Sequence, residues 1–117
     1  MTDAPRKIEL VFFKTDAGNE PVRDWLVGLS PANRQAIGLD LQRVQYRWPI
    51  GMPLVRPLGK GLFEVRTNLP DRTIARVMIC FHGGEAFALH GFIKKSRQTP
   101  AADMTLARDR MKELDHG

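Results

Sequence analysis

The stretch LFEVRTNLPDRTIARVMICFHGGEAFALHGFIKK, residues 62–95, decides the fold of this 117-residue chain. Turn-forming dipeptides divide it at Pro70-Asp71 and at Gly83-Gly84. The segments that remain are rich in β-branched and aromatic side chains; they are residues 62–68, 73–82 and 86–95. Such segments predict three strands, and the short connections between them predict antiparallel pairing in one sheet.

Helical periodicity flanks this stretch on both sides. Before it, a strand over residues 7–13 precedes a turn, and Asn19 is placed to cap a first helix. Ser30-Pro31 supplies the cap and first position of a second helix, which Pro49 ends. After the stretch, Thr99-Pro100 opens a last helix. Apolar residues recur every three or four positions along these helices, as Val22, Trp25, Leu26 and Leu29, then Ile37, Leu41, Val44 and Trp48, then Met104, Ala107, Met111 and Leu114.

The predicted element order is strand, helix, helix, three strands and helix. This order favours an α+β fold, in which the helices pack on one face of a small, mostly antiparallel sheet. The length fits one domain over residues 1–117.

Alternation across the strands predicts which side chains share a face. Apart from Thr73, the odd positions of residues 73–82 are apolar and suit a core, whereas the even positions are mixed and suit an open face. The same argument places one group of polar residues together on that open face: Arg66, Arg76, His90 and Lys94.

Two connections decide whether this shared face forms, because directly opposed residues of an antiparallel pair lie on one side. Arg66 meets Arg76 only if the Pro70 turn has an odd number of residues or a bulge. A two-residue turn at Gly83-Gly84 puts His90 opposite Val77 on the core side, and a three-residue connection puts it opposite Met78. The burial pattern favours the shared face, since Phe87 and Leu89 would otherwise face solvent.

The net charge is concentrated in the same part of the chain. The whole chain has 18 Lys and Arg against 13 Asp and Glu, a net charge of +5. Residues 56–97 alone hold eight basic and three acidic side chains, whereas residues 1–55 have a net charge of +1 and residues 98–117 of −1. A localised basic field predicts a polyanionic partner, either nucleic acid or an acidic protein.

Composition removes several classes of function. One cysteine, Cys80, forms no internal disulfide, and we expect a cytoplasmic protein without a signal peptide or membrane span. The sequence has no phosphate-binding Gly-rich loop, dinucleotide fingerprint or zinc-finger spacing, so we expect no cofactor and no metal. Cys80 and His82 stand two residues apart, but no second pair of ligands completes a metal site.

Several motifs resemble the RelE/ParE toxin superfamily, and most of all the HigB-like, phage-derived branch of type II toxin–antitoxin toxins. They are Leu62-Phe63-Glu64-Val65-Arg66, then Arg76-Val77-Met78-Ile79-Cys80-Phe81, then Leu89 through Pro100. The most specific part is Phe-Ile-Lys-Lys at residues 92–95, followed by Thr99-Pro100 and a helix with Ala107 and Arg110.

The resemblance implies a RelE-like fold and an endoribonuclease that cuts messenger RNA, usually in the ribosomal decoding site and without a metal. It also implies a cognate antitoxin, in this branch usually a helix-turn-helix protein that represses the operon. Carried over by motif, the catalytic residues are Arg66, Arg76, Lys94 and Lys95. Because HigB-like relatives use a histidine-containing set, His90 joins them. We expect Lys60, Arg72 and Arg97 to contact RNA.

The residue types suit this chemistry. Arginine forks match phosphate oxygens in bidentate fashion, so Arg66 and Arg76 are predicted to stabilise the phosphorane charge. Histidine titrates near neutrality, so His90 is the predicted acid or base, and Lys94 or Lys95 can share that work.

Other interpretations remain open from the sequence. Arg66 can instead form a surface ion pair with Glu64 or Asp71, and a histidine on a strand is more often structural than catalytic. Two other functions also fit the family or the charge: a ParE-like inhibitor of DNA gyrase, and a basic RNA-binding module without activity.

Overall fold

The computed structural model describes residues 7–94 and 99–116. It forms a five-stranded sheet and three helices packed against it, which confirms the α+β class and is compatible with a RelE-like fold. The elements are β1 (Leu10–Phe12), α1 (Pro21–Val27), α2 (Pro31–Arg47), β2 (Val55–Gly59), β3 (Leu62–Asn68), β4 (Ile74–His82), β5 (Glu85–Lys94) and α3 (Ala101–His116). None of the helices in the described ranges is long and apolar enough to cross a bilayer.

The sheet contains one strand more than the predicted order. Its strands run β1-β5-β4-β3-β2, with β1 parallel to β5 and every other pair antiparallel. The unpredicted strand β2 is an edge strand, and it tolerates Pro57 because an edge residue need not donate to a neighbouring strand.

The helices cover both faces of the sheet, so the prediction that they pack on one face is wrong. The hairpin of α1 and α2 packs on one side, which we call the α1–α2 face. Helix α3 packs on the other side, the α3 face, where Leu62, Met78, Cys80 and Leu89 are buried around Ala107. Apolar residues on both sides of β4 are the reason, since each face must be covered.

The connections bring the predicted polar residues onto one face, the α3 face. Pro70, Asp71 and Arg72 form a three-residue loop that closes between Leu69 and Thr73, and Arg66 lies directly opposite Arg76. The odd loop length that this pairing requires is therefore present.

His90 lies on the same face, but a bulge in β5 places it there instead of the predicted three-residue connection. Gly83 and Gly84 form a two-residue turn, with φ angles of 59° and 81° that a glycine adopts readily. A bulge at Leu89 then shifts the register by one residue, so that His90 lies opposite Met78. Phe87 and Leu89, which were expected on the core side away from Arg76, also pack on the α3 face. The two-residue turn places Phe87 opposite Cys80, and Leu89 is the bulged residue.

Local signals set the helix ends. The Ser30 side chain accepts a hydrogen bond of 3.2 Å from the Asn33 backbone N–H and caps α2, as predicted. The predicted cap at Asn19 is wrong by one position, because α1 follows Glu20, whose side chain makes no capping bond.

A close approach of Gly91 on β5 to Trp25 on α1 gives a prediction about stability. A Cβ at position 91 would overlap the six-membered ring of Trp25, so Gly91→Ala should lower the free energy of unfolding by about 1–3 kcal/mol. Gly38→Ala is the matched control. Gly38 lies within α2, and a Cβ added there would meet no atom within 4 Å. Alanine at this position should therefore leave the free energy of unfolding unchanged or raise it by up to about 1 kcal/mol. Urea unfolding of both variants checks the difference, and equal stabilities would contradict the packing.

The reactivity of the Cys80 thiol measures how completely α3 covers this face of the sheet. Burial raises the pKa of its thiol to about 11 from 9.0, and the negative charge of Asp115 adds to the rise. At pH 8 the folded protein should therefore react with a thiol reagent at least about 100-fold more slowly than the unfolded chain, because the thiolate is the nucleophile. Reaction rates that match in native buffer and in denaturant would show that α3 does not cover Cys80.

Candidate functional site

Helix α3 covers only part of its face. Its first turn lies beside His90, and its last turn reaches the β4–β5 hairpin, where Asp115 lies 3.6 Å from His82. Beyond the first turn, Arg66, Ile74 and Phe92 retain partial exposure at the end of the sheet. We call this region, with Arg76 and His90, the site end.

A buried ionic cluster underlies the site end. Arg76 and Glu64 are both fully buried, with Nη1 of Arg76 3.8 Å from Oε2 of Glu64. The Thr99 hydroxyl donates a 2.6 Å hydrogen bond to that same Oε2 and accepts one of 3.5 Å from Nη1. The cluster therefore joins β3 and β4 to the residues that precede α3.

The Glu64 carboxylate offsets the positive charges of two arginines that lie opposite each other on neighbouring strands. Arg66 and Arg76 are direct cross-strand neighbours, an arrangement that is unfavourable for like charges. Nε of Arg66 lies 3.9 Å from Oε1 of Glu64, so the single carboxylate faces both guanidinium groups. The predicted pairing of Arg66 with Glu64 is present, but Glu64 is a buried counter-ion rather than a surface partner.

Burial is the largest influence on Arg76. Loss of hydration lowers the pKa of its guanidinium, Glu64 opposes this change, and the positive charges of Arg66 and Arg56 add to the lowering. Arg56 lies directly opposite Glu64 on β2 and is a site residue that the sequence prediction missed. It was missed because Pro57 and Gly59 argue against a strand there.

His90 is bound to the first turn of α3. Its Nε2 lies 2.6 Å from Oδ1 of Asp103, and its ring stacks on Phe92 with a centroid separation of 5.5 Å. The side chains of His90 and Asp103 are 17% and 24% exposed, so solvent reaches both. Asp103 was also missed, because no strand or helix pattern predicts a contact between residue 103 and β5.

The other predicted cations do not all meet at the site end. Arg72 lies in the β3–β4 loop beside it, and the backbone of Lys94 lies opposite that of Ile74. Lys60 sits in the β2–β3 turn, at the other end of β3, near His82. Seven strand residues separate the two ends by roughly 20 Å, so Lys60 is not part of this cluster. The predictions for Lys95 and Arg97 lie outside the described residues.

A cleft of about 600 Å³ opens beside the site end. Arg66 lines it, together with Asn68 and Ile74 at the ends of β3 and β4. The far wall is formed by Arg43 on α2, which pairs with Asp40, and by Pro53 and Leu54. Arg66 is 27% exposed and is therefore the predicted catalytic arginine that a ligand can reach.

Taken together, the site end offers an accessible guanidinium, a buried guanidinium behind it, and an imidazole bound to a carboxylate. These groups can bind a phosphate and move a proton. A mixed sheet with helices packed against it is compatible with the fold of the RelE class of small proteins.

Residues 24–112 match the family described as phage derived protein Gp49-like (DUF891). The match spans most of the chain, so this protein belongs to the Gp49-like phage-derived family, which is a RelE/HigB-type toxin family. The family is associated with the toxins of toxin–antitoxin systems, which usually pair with an antitoxin. A search of curated proteins found no match.

Proposed function

We propose that this protein is the toxin of a type II toxin–antitoxin system and that it inhibits translation by cutting messenger RNA on the ribosome. The observation that carries the proposal is the grouping of Arg66, Arg76 and His90 at one end of the α3 face. Membership of a RelE/HigB-type toxin family supports it.

The proposed reaction needs only proton transfer and charge stabilisation. The 2′-hydroxyl oxygen attacks the adjacent phosphorus, and its proton passes to a base. The bond from phosphorus to the 5′-oxygen breaks as that oxygen takes a proton from an acid. The products are a 2′,3′-cyclic phosphate and a 5′-hydroxyl, and the reaction consumes no cofactor.

In this proposal Arg66 binds the phosphate, because it is the exposed arginine beside the cleft. His90 serves as the acid or base, since its ring combines partial exposure with a fixed orientation. Lys94 and Lys95 remain proposed catalytic cations, and Arg72 and Arg97 remain proposed RNA contacts.

Arg76 has a different role from the predicted one. A fully buried guanidinium has no surface through which to touch RNA, so we assign it to positioning. It holds Glu64, which faces Arg66, and it adds positive potential behind the bound phosphate.

The proposed partner is a cognate antitoxin of the helix-turn-helix type, and the proposed location is the cytoplasm. A basic site end that acts on RNA needs a partner that covers it or blocks its docking on the ribosome. An acidic segment is complementary to the charge there.

Induction of the protein without an antitoxin, followed by primer extension on cellular messenger RNA, tests the proposal. We expect growth arrest and new 5′ ends within codons of translated messages. DNA breaks linked to gyrase, without new RNA ends, would instead support the gyrase inhibitor. Retained RNA binding with neither effect would support the RNA-binding module.

A further inference from the structure

The hydrogen bond between His90 and Asp103 joins the strand that carries the proposed acid or base to the helix that covers its face. The Nε2–Oδ1 distance is 2.6 Å, which is short for a nitrogen donor. Asp103 lies in the first turn of α3, where the helix dipole favours a negative side chain.

We infer that Asp103 is a positioning residue for His90, an inference that rests on the proposed ribonuclease function. An ionised carboxylate only accepts hydrogen bonds, so Nε2 must carry a proton to bond with it. In the neutral ring the lone pair is then on Nδ1, which makes no hydrogen bond to any residue in the described ranges. Stacking on Phe92 fixes the plane of the ring. Asp103 thus selects the nitrogen that faces the RNA and stabilises the imidazolium when Nδ1 takes up a proton.

The same helix provides a matched control. Asp115 in the last turn of α3 pairs with His82 on β4 over 3.6 Å, and both side chains are exposed. Asp115→Asn therefore removes a His–Asp contact between the same two layers without touching the site end. A merely structural role for Asp103 predicts that Asp103→Asn changes stability but not the chemical step.

The test combines kinetics with a spectroscopic measurement on the full chain. RNA cleavage is measured for wild type, Asp103→Asn, His90→Ala, the double variant and Asp115→Asn. We expect Asp103→Asn to lower kcat at least about tenfold, within the ~10²–10⁴-fold that a proton-transfer group supplies, and to leave KM nearly unchanged. The double variant should be no slower than His90→Ala, because Asp103 acts only through His90. Asp115→Asn should match wild type.

Long-range proton–nitrogen NMR of the histidine rings gives a readout that does not depend on activity. Neutral His90 should carry its proton on Nε2 in wild type and in Asp115→Asn, and should lose this preference in Asp103→Asn. An unchanged tautomer, or an unchanged kcat in Asp103→Asn, would overturn the inference while the proposed function stood. Absence of RNA cleavage by wild type would overturn the proposed function, and the role of Asp103 would fall with it.

Discussion

Arg76→Ala is expected to lower the free energy of unfolding by about 3–5 kcal/mol, the cost typical of breaking a buried ion pair from one side. The variant removes the nearer of the two guanidinium groups that face the fully buried Glu64 carboxylate. It also removes the guanidinium that donates to the Thr99 hydroxyl and so joins β4 to the residues before α3.

Chemical denaturation followed by circular dichroism measures this loss. The control is Arg43→Ala, which breaks the pair between Arg43 and Asp40 on α2, where Arg43 is exposed. Asp40 is mostly buried, but the Arg43 side chain is 56% exposed and keeps its hydration, so the control should lose clearly less stability than Arg76→Ala. If Arg76→Ala were as stable as the control, the buried cluster would not hold the sheet end and the helix together. Because this variant is expected to be less stable, its toxicity in cells is compared with wild type at equal amounts of folded protein.

His90→Ala is expected to reduce RNA cleavage by about 10²–10⁴-fold, because it removes the group assigned to proton transfer. Its fold should persist, since the ring is partly exposed and α3 keeps other contacts with the sheet. Among these, Arg110 donates a 2.7 Å hydrogen bond to the Leu89 carbonyl, and Arg108 donates one of 2.9 Å to the Leu58 carbonyl.

His82→Ala is the matched control for this prediction. His82 also lies on the sheet and also faces an aspartate of α3, but it sits at the far end of the face. We expect His82→Ala to keep full cleavage and full toxicity in cells. Full RNA cleavage by both variants would remove His90 from the proposed mechanism. A similar loss of cleavage in both variants would indicate that α3 no longer docks on the sheet.

The sequence predicts the three strands β3, β4 and β5 well because the pattern that identifies them is local. The bounds of β3 agree with the prediction at both ends, and the odd loop at Pro70, which the burial pattern of the strands favoured, is present. The second layer on the sheet was predicted wrongly, although its signal was present. Met78 and Cys80 are apolar residues on the supposedly open face, and an apolar face needs a cover.

The sequence predicted which residues of the candidate site share a face of the sheet, but not how α3 covers them. The shared face of Arg66 and Arg76 follows from alternation along β3 and β4. The burial of Arg76 and the contact of His90 with Asp103 depend on where α3 docks, which is a long-range packing outcome. The bulge at Leu89 is equally invisible to periodicity, since one extra residue reverses which side the remaining strand presents.

The most direct test of the central claim is the chemistry of the RNA ends that the purified protein makes. An end-labelled messenger RNA is offered on programmed ribosomes, either with ribose throughout or with one 2′-deoxynucleotide at the mapped cleavage position. We predict fragments that end in a 2′,3′-cyclic phosphate from the first RNA and no cut at that position in the second. Equal cutting of both RNAs, or no cutting of either, would contradict the proposed attack of the 2′-hydroxyl at the site end.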